Sequence, residues 1–286
     1  MLILKAKAKV NLFLHCLGKL DNGYHNLQSL CAFADVYDVL YFKFSSNFKL
    51  NIIGDFAQSL SSLDSINNNL ITQIFNFFSS NYNLKKPLEI TLNKKLPLNA
   101  GLGGGSSNGA ITILAINKLY NLKLSINDLI NIGIKFGADI PTCLYQKANF
   151  FENIGEKTTS INLPKKLPVI LINPLHHVST KEIFLNFKNP NTLPINVKDI
   201  THIKNTNHLL NFLSKQKNDL TSSAIELNSA INPIINELSK SSTLVRMSGS
   251  GSSVFAIYPN FSVINNILPS LYKKFPNYWI KASYLQ

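Results

Sequence analysis

The first half of the chain alternates between patterns typical of strands and patterns typical of helices. Residues 10–17 and 36–44 are rich in Val, Phe, Tyr and Leu, and residues 88–92 alternate apolar with polar side chains, so each segment predicts a strand. The sequence Asp21-Asn22-Gly23 lies between the first two segments and is typical of a tight turn. Apolar spacing and a capping box at Ser125 and Asp128 predict three helices, at 69–78, 106–120 and 125–136.

After residue 151 the composition of the chain changes, and proline is more frequent than in the first half. Its polar segment 186–207 predicts a loose connection, and Pro233 must kink or divide the helix in which it lies. Because several early strands are followed by alternating strands and helices, we predict an α+β enzyme of two domains that divides near residues 150–165. The predicted elements are strands at 169–172, 243–247 and 253–258 and helices at 219–238 and 263–275.

The composition is typical of a globular protein and indicates the cellular compartment in which it functions. The 286 residues are 45% hydrophobic and 15% charged, which allows two domains and argues against disorder. The three cysteines are odd in number and lack a C-x-x-C spacing, so they predict neither a disulfide framework nor a zinc site and fit a reducing cytoplasm. No apolar run approaches the roughly 20 residues of a membrane span, and lysines interrupt the N-terminus where a signal peptide would be apolar.

The net charge of +13 raises the possibility of nucleic-acid binding. The basic residues are scattered, however, and all but Arg246 are lysine, which lacks the planar bidentate geometry of arginine. A drift towards Lys, Asn and Ile, as in an AT-rich genome, accounts better for the charge. We therefore expect no nucleic-acid partner, although a positive field favours anionic substrates such as ATP.

The segment from Pro97 to Ala110, Pro-Leu-Asn-Ala-Gly-Leu-Gly-Gly-Gly-Ser-Ser-Asn-Gly-Ala, carries the clearest chemical signal. Its four glycines within five residues permit positive φ angles and leave the backbone free of side-chain bulk. A strand precedes it and a helix follows, so backbone N–H groups and the helix dipole can form a phosphate cradle. It is neither a Walker loop nor a G-x-G-x-x-G fingerprint. The alternative is a simple linker or tight turn.

Four smaller features add candidate groups. Lys9 and Asn11 share one face of the first strand and could be either solvated surface or functional. Asp139 is a lone carboxylate in a small apolar turn, so it is a helix N-cap, a functional group or both.

The segment Ser248-Gly-Ser-Gly251 suits a hairpin turn or a second anion loop. The turn from Asp21 ends in Tyr24 and His25, whose rings suit a nucleobase.

In this order, these segments resemble the GHMP kinases over most of the chain. The glycine–serine loop is similar to the second motif of that superfamily, and the segment 248–255 to its third. The pairing of Ala8-Lys-Val-Asn-Leu-Phe-Leu14 with Asp21-Asn-Gly-Tyr-His25 resembles more narrowly the members that act on a cytidyl-linked substrate in isoprenoid biosynthesis. The resemblance implies a two-domain fold with the active site in the cleft between the domains, and we place the domains at residues 1–157 and 158–286.

The resemblance also implies roles for individual residues. The reaction would transfer phosphate from ATP, with Mg²⁺, to the 2-hydroxyl of 4-diphosphocytidyl-2-C-methyl-D-erythritol, with Asp139 as base and Lys9 as stabilising cation. The cytosine would be held by Tyr24, His25 and Phe184, and the methylerythritol phosphate end by Asn11 and Thr180. The ATP-binding residues would be Asn69 beside the adenine and the loop residues Pro97, Leu98, Asn99, Ala100, Gly101, Leu102, Gly103, Gly104, Gly105, Ser106 and Ser107.

Some positions depart from the superfamily pattern, and two other functions stay open. Asn99 stands where glycine is usual, although Asn tolerates positive φ well. Gly109 stands where alanine is usual and is expected to cost the helix on the order of 1 kcal/mol. The alternatives are another GHMP kinase, such as a homoserine kinase, and a basic RNA-binding protein without catalysis. The sequence does not predict the Mg²⁺ ligands or the oligomeric state.

Overall fold

The computed structural model describes residues 1–21, 23–60, 62–176, 178–188 and 192–286. Within these ranges the strands are β1 (Leu2–Asn11), β2 (His15–Lys19), β3 (His25–Phe44), β4 (Lys49–Ile53), β5 (Leu88–Asn93), β6 (Asn149–Asn153), β7 (Lys157–Ser160), β8 (Leu167–Asn173), β9 (Leu244–Met247), β10 (Val254–Ile257) and β11 (Trp279–Leu285). The helices are α1 (Leu63–Asn67), α2 (Leu70–Asn81), α3 (Gly104–Leu119), α4 (Ile126–Gly133), α5 (Ile140–Leu144), α6 (Thr180–Asn186), α7 (Val197–Thr201), α8 (Thr206–Ser214), α9 (Thr221–Leu227), α10 (Ile231–Leu238) and α11 (Phe261–Lys274).

Most predicted elements are confirmed, including the capping box at Ser125 that begins α4. The predicted strand at 10–17 is wrong in its bounds, because β1 ends at Asn11 and β2 begins at His15. The predicted helix at 219–238 is divided, as expected, but not by Pro233, which lies in the first turn of α10 where its missing N–H is not needed. The division follows Asn228, whose Oδ1 accepts from the Ala230 N–H at 3.1 Å.

Two parts of the sequence-based prediction need separate mention. The loose connection predicted at 186–207 contains the short helix α7, and residues 189–191 within it lie outside the described residues. Asn22 of the predicted turn also lies outside them. The hairpin that this turn would close is present, because β2 and β3 pair antiparallel with His15 opposite Gln28.

One compact unit, unit 1, comprises Met1–Ala8, Tyr37–Leu98 and Gly103–Gln146. In it, β5 lies between β4, to which it runs parallel, and the C-terminal half of β3, to which it runs antiparallel. Helix α3 packs against α2 and α5 at Gly109, where an added Cβ would lie 3.1 Å from Ile74 Cδ1 and 3.2 Å from Ile140 Cδ1. The expected helix penalty of this glycine is therefore offset by close packing of the three helices.

The other compact unit, unit 2, comprises Lys9–Val36, Asn99–Leu102 and Lys147–Gln286. Strand β8 lies between its antiparallel neighbours β10 and β11, and β10 pairs on its other side with β9, also antiparallel. The N-terminal half of β3 pairs with β2 and β6. Alternating strand positions such as Ile170 and Ile172 meet apolar residues of α9 to α11, for example Ile231 and Ile264, in one buried core.

The two units interleave along the chain, which crosses between them at several points. The division into domains at 1–157 and 158–286 therefore stays a prediction, whereas the α+β composition is confirmed. No helix in the described ranges combines the length and apolar character needed to cross a membrane. The three cysteines are buried and none of them forms a disulfide.

Candidate active site

The glycine-rich loop alternates left-handed with ordinary backbone conformations. Asn99, Gly101 and Gly103 have φ angles of 49°, 70° and 60°. The expectation that asparagine can occupy such a position is thus confirmed at Asn99. Gly104 is different, because it is the first residue of α3 and has no positive φ. Its lack of a side chain instead allows close approach, since an added Cβ would lie 3.2 Å from Lys94 Nζ.

The helical end of the loop, in unit 1, offers backbone donors. The Ser107 N–H donates to Gly103 O at 2.8 Å and is the first helical hydrogen bond of α3. The N–H groups of Gly104, Gly105 and Ser106 precede it, where a helix has no internal acceptors and its dipole favours an anion. The space beyond Gly105 is open, because among the described residues no atom outside its chain neighbours and its own helix backbone lies within 4 Å of an added Cβ. This end of the loop suits a phosphate group.

Ser107 and Asn69 already have local partners for their side chains. Ser107 is fully buried, and its Oγ accepts from Gln146 Nε2 at 2.9 Å. Asn69 is the N-cap of α2, where its Oδ1 accepts from the Ile71 N–H at 3.0 Å. Pro97 is buried and Leu98 half-buried in the turn that enters the loop.

In unit 2, hydrogen bonds join β1, the first half of the loop and the turn between β9 and β10. The Lys9 N–H donates to Leu102 O at 2.8 Å. Ser248 Oγ accepts from the Asn11 N–H at 3.1 Å and donates to Gly101 O at 2.9 Å. The Ser253 N–H donates to Ala100 O at 3.1 Å. We call this set of contacts the loop junction; it brings the predicted residues Lys9 and Asn11 to residues 99–102.

Glycine is required in the loop junction for steric reasons. An added Cβ on Gly101 would lie 2.3 Å from Ser248 O and 2.7 Å from Gly251 O, distances that no side chain tolerates. An added Cβ on Gly249 would lie 3.0 Å from Gly101 O. The two glycine segments therefore pack backbone against backbone. The hairpin predicted at this segment is confirmed, because β9 and β10 pair antiparallel with Met247 opposite Val254. A role of residues 248–251 as a second anion loop stays a prediction.

Asn11 carries a buried polar atom that suits a ligand. The residue is 1% exposed, and its Nδ2 donates to Ser29 Oγ at 2.8 Å and to Cys31 Sγ at 3.3 Å. Its Oδ1 is buried and has no hydrogen-bond partner among the described residues. Because an unsatisfied buried acceptor costs about 1–3 kcal/mol, a donor from a bound molecule would be favoured here.

Helix α6 presents two of the predicted substrate residues on one face, since Thr180 and Phe184 are four residues apart. Thr180 Oγ1 lies 3.0 Å from Ser250 Oγ in the turn between β9 and β10. The Phe184 ring stacks on His25, with centroids 4.7 Å apart and planes inclined by 29°. Phe187 meets the same imidazole edge-on at 6.0 Å. Unit 2 thus brings together the predicted residues His25, Phe184 and Thr180 with the third motif.

Two properties of the turn at β3 bear on nucleobase binding. Tyr24 is 62% exposed, so its ring is accessible to a ligand. Burial, and to a smaller extent the positive charge of Lys19, lower the pKa of His25. The lowered pKa favours the neutral imidazole, whose one donor and one acceptor nitrogen suit hydrogen bonds to a base edge.

The two predicted catalytic residues lie in different units. Asp139, in unit 1, occupies the N-cap position of α5, but its side chain makes no capping hydrogen bond. Of the two possibilities drawn from the sequence, the capping role of its carboxylate is therefore not observed. Lys9, in unit 2, is only 3% exposed on β1. Buried lysines are uncommon unless they are paired or functional.

Some residues that support these groups were missed by sequence reasoning. Asp38 and Lys94 form a buried ion pair below the helical end of the loop. Asn218 Nδ2 donates to Met247 O at 2.9 Å and to Gly249 O at 2.7 Å, which holds the turn after β9 in place. A lone carboxylate within the apolar strand 36–44 was the available signal for Asp38. Nothing local distinguished Asn218 from the many other asparagines of this chain.

Comparisons with known proteins define the class to which this fold and loop belong. The family model described as GHMP kinases N terminal domain matches residues 69–147, and that described as GHMP kinases C terminal matches residues 198–277. A crystal structure of 4-(cytidine 5'-diphospho)-2C-methyl-D-erythritol kinase is similar over 99% of both chains, with a TM-score of 0.79 and 24% identity. A homoserine kinase from Cytophaga hutchinsonii has a TM-score of 0.74 and 18% identity, over 98% of this chain and 93% of that one. The chain has the predicted GHMP kinase fold.

Relatives of known name identify the family within the GHMP kinases to which the chain belongs. The 4-diphosphocytidyl-2-C-methyl-D-erythritol kinase of Agrobacterium fabrum is 34% identical over 283 residues, which cover 97% of this chain and 94% of the relative. The enzyme of the same name from Thermoanaerobacter pseudethanolicus is 34% identical over 279 residues, with coverages of 93% and 91%. The chain belongs to the family of 4-diphosphocytidyl-2-C-methyl-D-erythritol kinases.

Proposed function

We propose that the chain transfers the γ-phosphoryl group of ATP to the 2-hydroxyl of 4-diphosphocytidyl-2-C-methyl-D-erythritol, in the non-mevalonate route to isopentenyl diphosphate. The observation that carries the proposal is the loop junction, because it ties the strand of Lys9 and Asn11 directly to the glycine-rich loop. Within unit 2, the predicted acceptor residue Asn11 is thereby hydrogen-bonded to the same Ser248 hydroxyl as Gly101 of the loop. Family membership supports the choice of substrate.

The donor is assigned to the loop and its surroundings. The backbone N–H groups of Gly104 to Ser106 would bind ATP phosphates, and Asn69 would lie beside the adenine. Among the described residues, no group of three or more His, Cys, Asp or Glu side chains could hold a metal ion. We assign Mg²⁺ to the ATP phosphates themselves, as is common in kinases, where it would neutralise their charge.

The acceptor is assigned to residues of unit 2. The exposed ring of Tyr24 and the stacked pair of His25 and Phe184 would hold the cytosine by stacking and by hydrogen bonds to its edge. The unpartnered Oδ1 of Asn11 and the hydroxyl of Thr180 would contact the methylerythritol phosphate end. The two ends of one elongated substrate would thus meet different parts of the same unit.

The chemistry needs few groups. The acceptor oxygen attacks the γ-phosphorus, the bond from that phosphorus to the bridging oxygen breaks, and ADP leaves. Asp139 would accept the hydroxyl proton, and the Lys9 ammonium would stabilise the negative charge of the transferred group. The remainder of the rate enhancement comes from positioning, which the loop and the stacked rings would supply.

Homoserine kinase is the second candidate, because a protein of that name shares the fold over 98% of this chain. The two candidates differ in their need for the aromatic rings around His25. A coupled assay of ADP release with the cytidyl substrate, homoserine, mevalonate and galactose separates them. We expect turnover with the cytidyl substrate alone; preferred turnover of homoserine would overturn the proposal.

RNA binding without catalysis is the remaining alternative. The single arginine of the chain, Arg246, donates to the backbone oxygens of Leu12, Leu213 and Gln216, and burial lowers its pKa to about 10. Its guanidinium is therefore committed to internal partners. We propose a small-molecule enzyme of the cytoplasm; salt-dependent RNA binding without ATP turnover would contradict this.

A further inference from the structure

Asp38 is a fully buried carboxylate of β3 that accepts four hydrogen bonds within unit 1. Its Oδ1 accepts from the N–H groups of Lys95 and Leu96 at 2.7 Å and 2.8 Å. Its Oδ2 accepts from Lys94 Nζ at 2.5 Å and from Asn108 Nδ2 at 3.1 Å. Four bonds use about all the acceptor sites of a carboxylate, so none is left for a ligand.

These four donors lie on both sides of the glycine-rich loop. Lys94 to Leu96 follow β5 and lead into the loop, whereas Asn108 lies on α3, one helical turn after Gly104. Asp38 therefore connects the segment that enters the loop with the helix that leaves it. A change in the position of this carboxylate would move both ends of the loop relative to each other.

The ion pair is also oriented along α3. Lys94 Nζ lies below Gly104, where an added Cβ would be 3.2 Å away, while the carboxylate lies beside Asn108. The ammonium is thus at the N-terminal end of the helix, where the helix dipole is also positive. The Lys94 ammonium and the positive end of the helix dipole both favour an anion at the backbone donors of Gly104 to Ser106.

The pair is costly in its surroundings. The side chains of Lys94 and Asp38 are 2% and 0% exposed, and desolvation at such sites often outweighs the Coulomb attraction. Burial lowers the pKa of Lys94, and the adjacent Asp38 opposes that change. An apolar pair could fill the same space at lower cost, so stability alone does not explain these residues.

We infer that Asp38 is a positioning residue for ATP: it fixes both ends of the phosphate loop and holds the Lys94 ammonium below the first turn of α3. The inference rests on the proposed function only in taking ATP as the phosphoryl donor. It assigns no contact between Asp38 and either substrate.

The test compares Asp38→Asn with the same change at an exposed position of β3, Asp35→Asn. Binding of a non-hydrolysable ATP analogue is measured by calorimetry, KM is measured for both substrates, and melting curves report folding. We expect Asp38→Asn to weaken analogue binding and raise the KM for ATP by about tenfold or more, because a hydrogen-bonded charge is lost, while the KM for the acceptor stays within about twofold. Asp35→Asn should change neither.

A charge-neutral double variant, Asp38→Asn with Lys94→Gln, separates positioning from stability and serves also if Asp38→Asn does not fold. We expect it to regain a melting temperature near that of the wild type but to keep the weakened analogue binding. Recovery of both would overturn the inference, as would equal losses for ATP and acceptor in a folded Asp38→Asn. A wild-type protein that does not bind the analogue at all would instead contradict the proposed function.

Discussion

Replacing Gly105 by alanine should stabilise the protein and weaken ATP binding. Gly105 is the second residue of α3 and has no positive φ. In the part of the chain that the structure describes, an added Cβ there would meet no atom within 4 Å apart from its chain neighbours and its own helix backbone. Alanine in a helix is favoured over glycine by about 0.5–1 kcal/mol, so the free energy of unfolding should rise by roughly that amount. The same methyl group would occupy the space where a phosphate approaches the backbone N–H groups. Loss of one hydrogen bond to a charged group costs about 1.5–3 kcal/mol, which corresponds to about 10- to 150-fold in affinity.

Gly109→Ala on the same helix is the matched control. Its added Cβ would lie 3.1 Å from Ile74 Cδ1 and 3.2 Å from Ile140 Cδ1, so overpacking of about 1–3 kcal/mol should outweigh the gain in helix propensity. The variant is expected to melt at a lower temperature yet to bind an ATP analogue as the wild type does, because the site is buried between helices.

Denaturant unfolding and calorimetric titration of both variants measure the two effects separately. The reasoning requires opposite signs, with Gly105→Ala more stable but weaker in binding and Gly109→Ala less stable but unchanged in binding. Unchanged analogue affinity in Gly105→Ala would refute the phosphate cradle and leave the loop as a turn.

Three further predictions concern other parts of the molecule. Truncating Tyr24 and His25 together to alanine should lower kcat/KM for the cytidyl substrate by about 30-fold or more, with little change in the KM for ATP. The loss is expected because stacking contributes roughly 1–3 kcal/mol and a hydrogen bond to the base about 1 kcal/mol. Equal losses for both substrates would count against the cytosine assignment. Asp139→Asn should abolish transfer but retain nucleotide binding, and activity within a few-fold of the wild type would remove Asp139 from the mechanism. Burial lowers the pKa of His15 below 6.5, so the folded state binds fewer protons than the unfolded state and stability should fall as the pH drops below about 6.5. His15→Gln should reduce this loss in pH-dependent melting curves, the exposed His208→Gln should not, and equal slopes in all three proteins would disprove the role of His15.

The sequence predicted features that depend on local chemistry. Asn99 was expected to tolerate a left-handed conformation, and its φ is 49°. The capping box at Ser125 follows from side chains that bond to nearby backbone, and it is present at the start of α4. The grouping of Lys9 and Asn11 on one strand face was likewise available from the twofold period of a strand.

Features that depend on long-range contacts were not predictable in this way. Asp38 is separated from Lys94 by 56 residues and from Asn108 by 70, so no local pattern links them. Strands β6 and β7 are short, and their pairing with each other and with β3 is stabilised mainly by tertiary context. Gly109 appeared to be a defect of its helix because its neighbours Ile74 and Ile140 come from other helices.

Formation of the product tests the central claim most directly. The purified chain is incubated with ATP, Mg²⁺ and 4-diphosphocytidyl-2-C-methyl-D-erythritol, and the products are followed by phosphorus NMR, with Asp139→Asn as the control. The account predicts that ADP appears together with an equal amount of one new phosphomonoester, attached at the 2-hydroxyl, in the wild type and not in the variant. ATP hydrolysis without this ester, or phosphorylation at another hydroxyl, would contradict it.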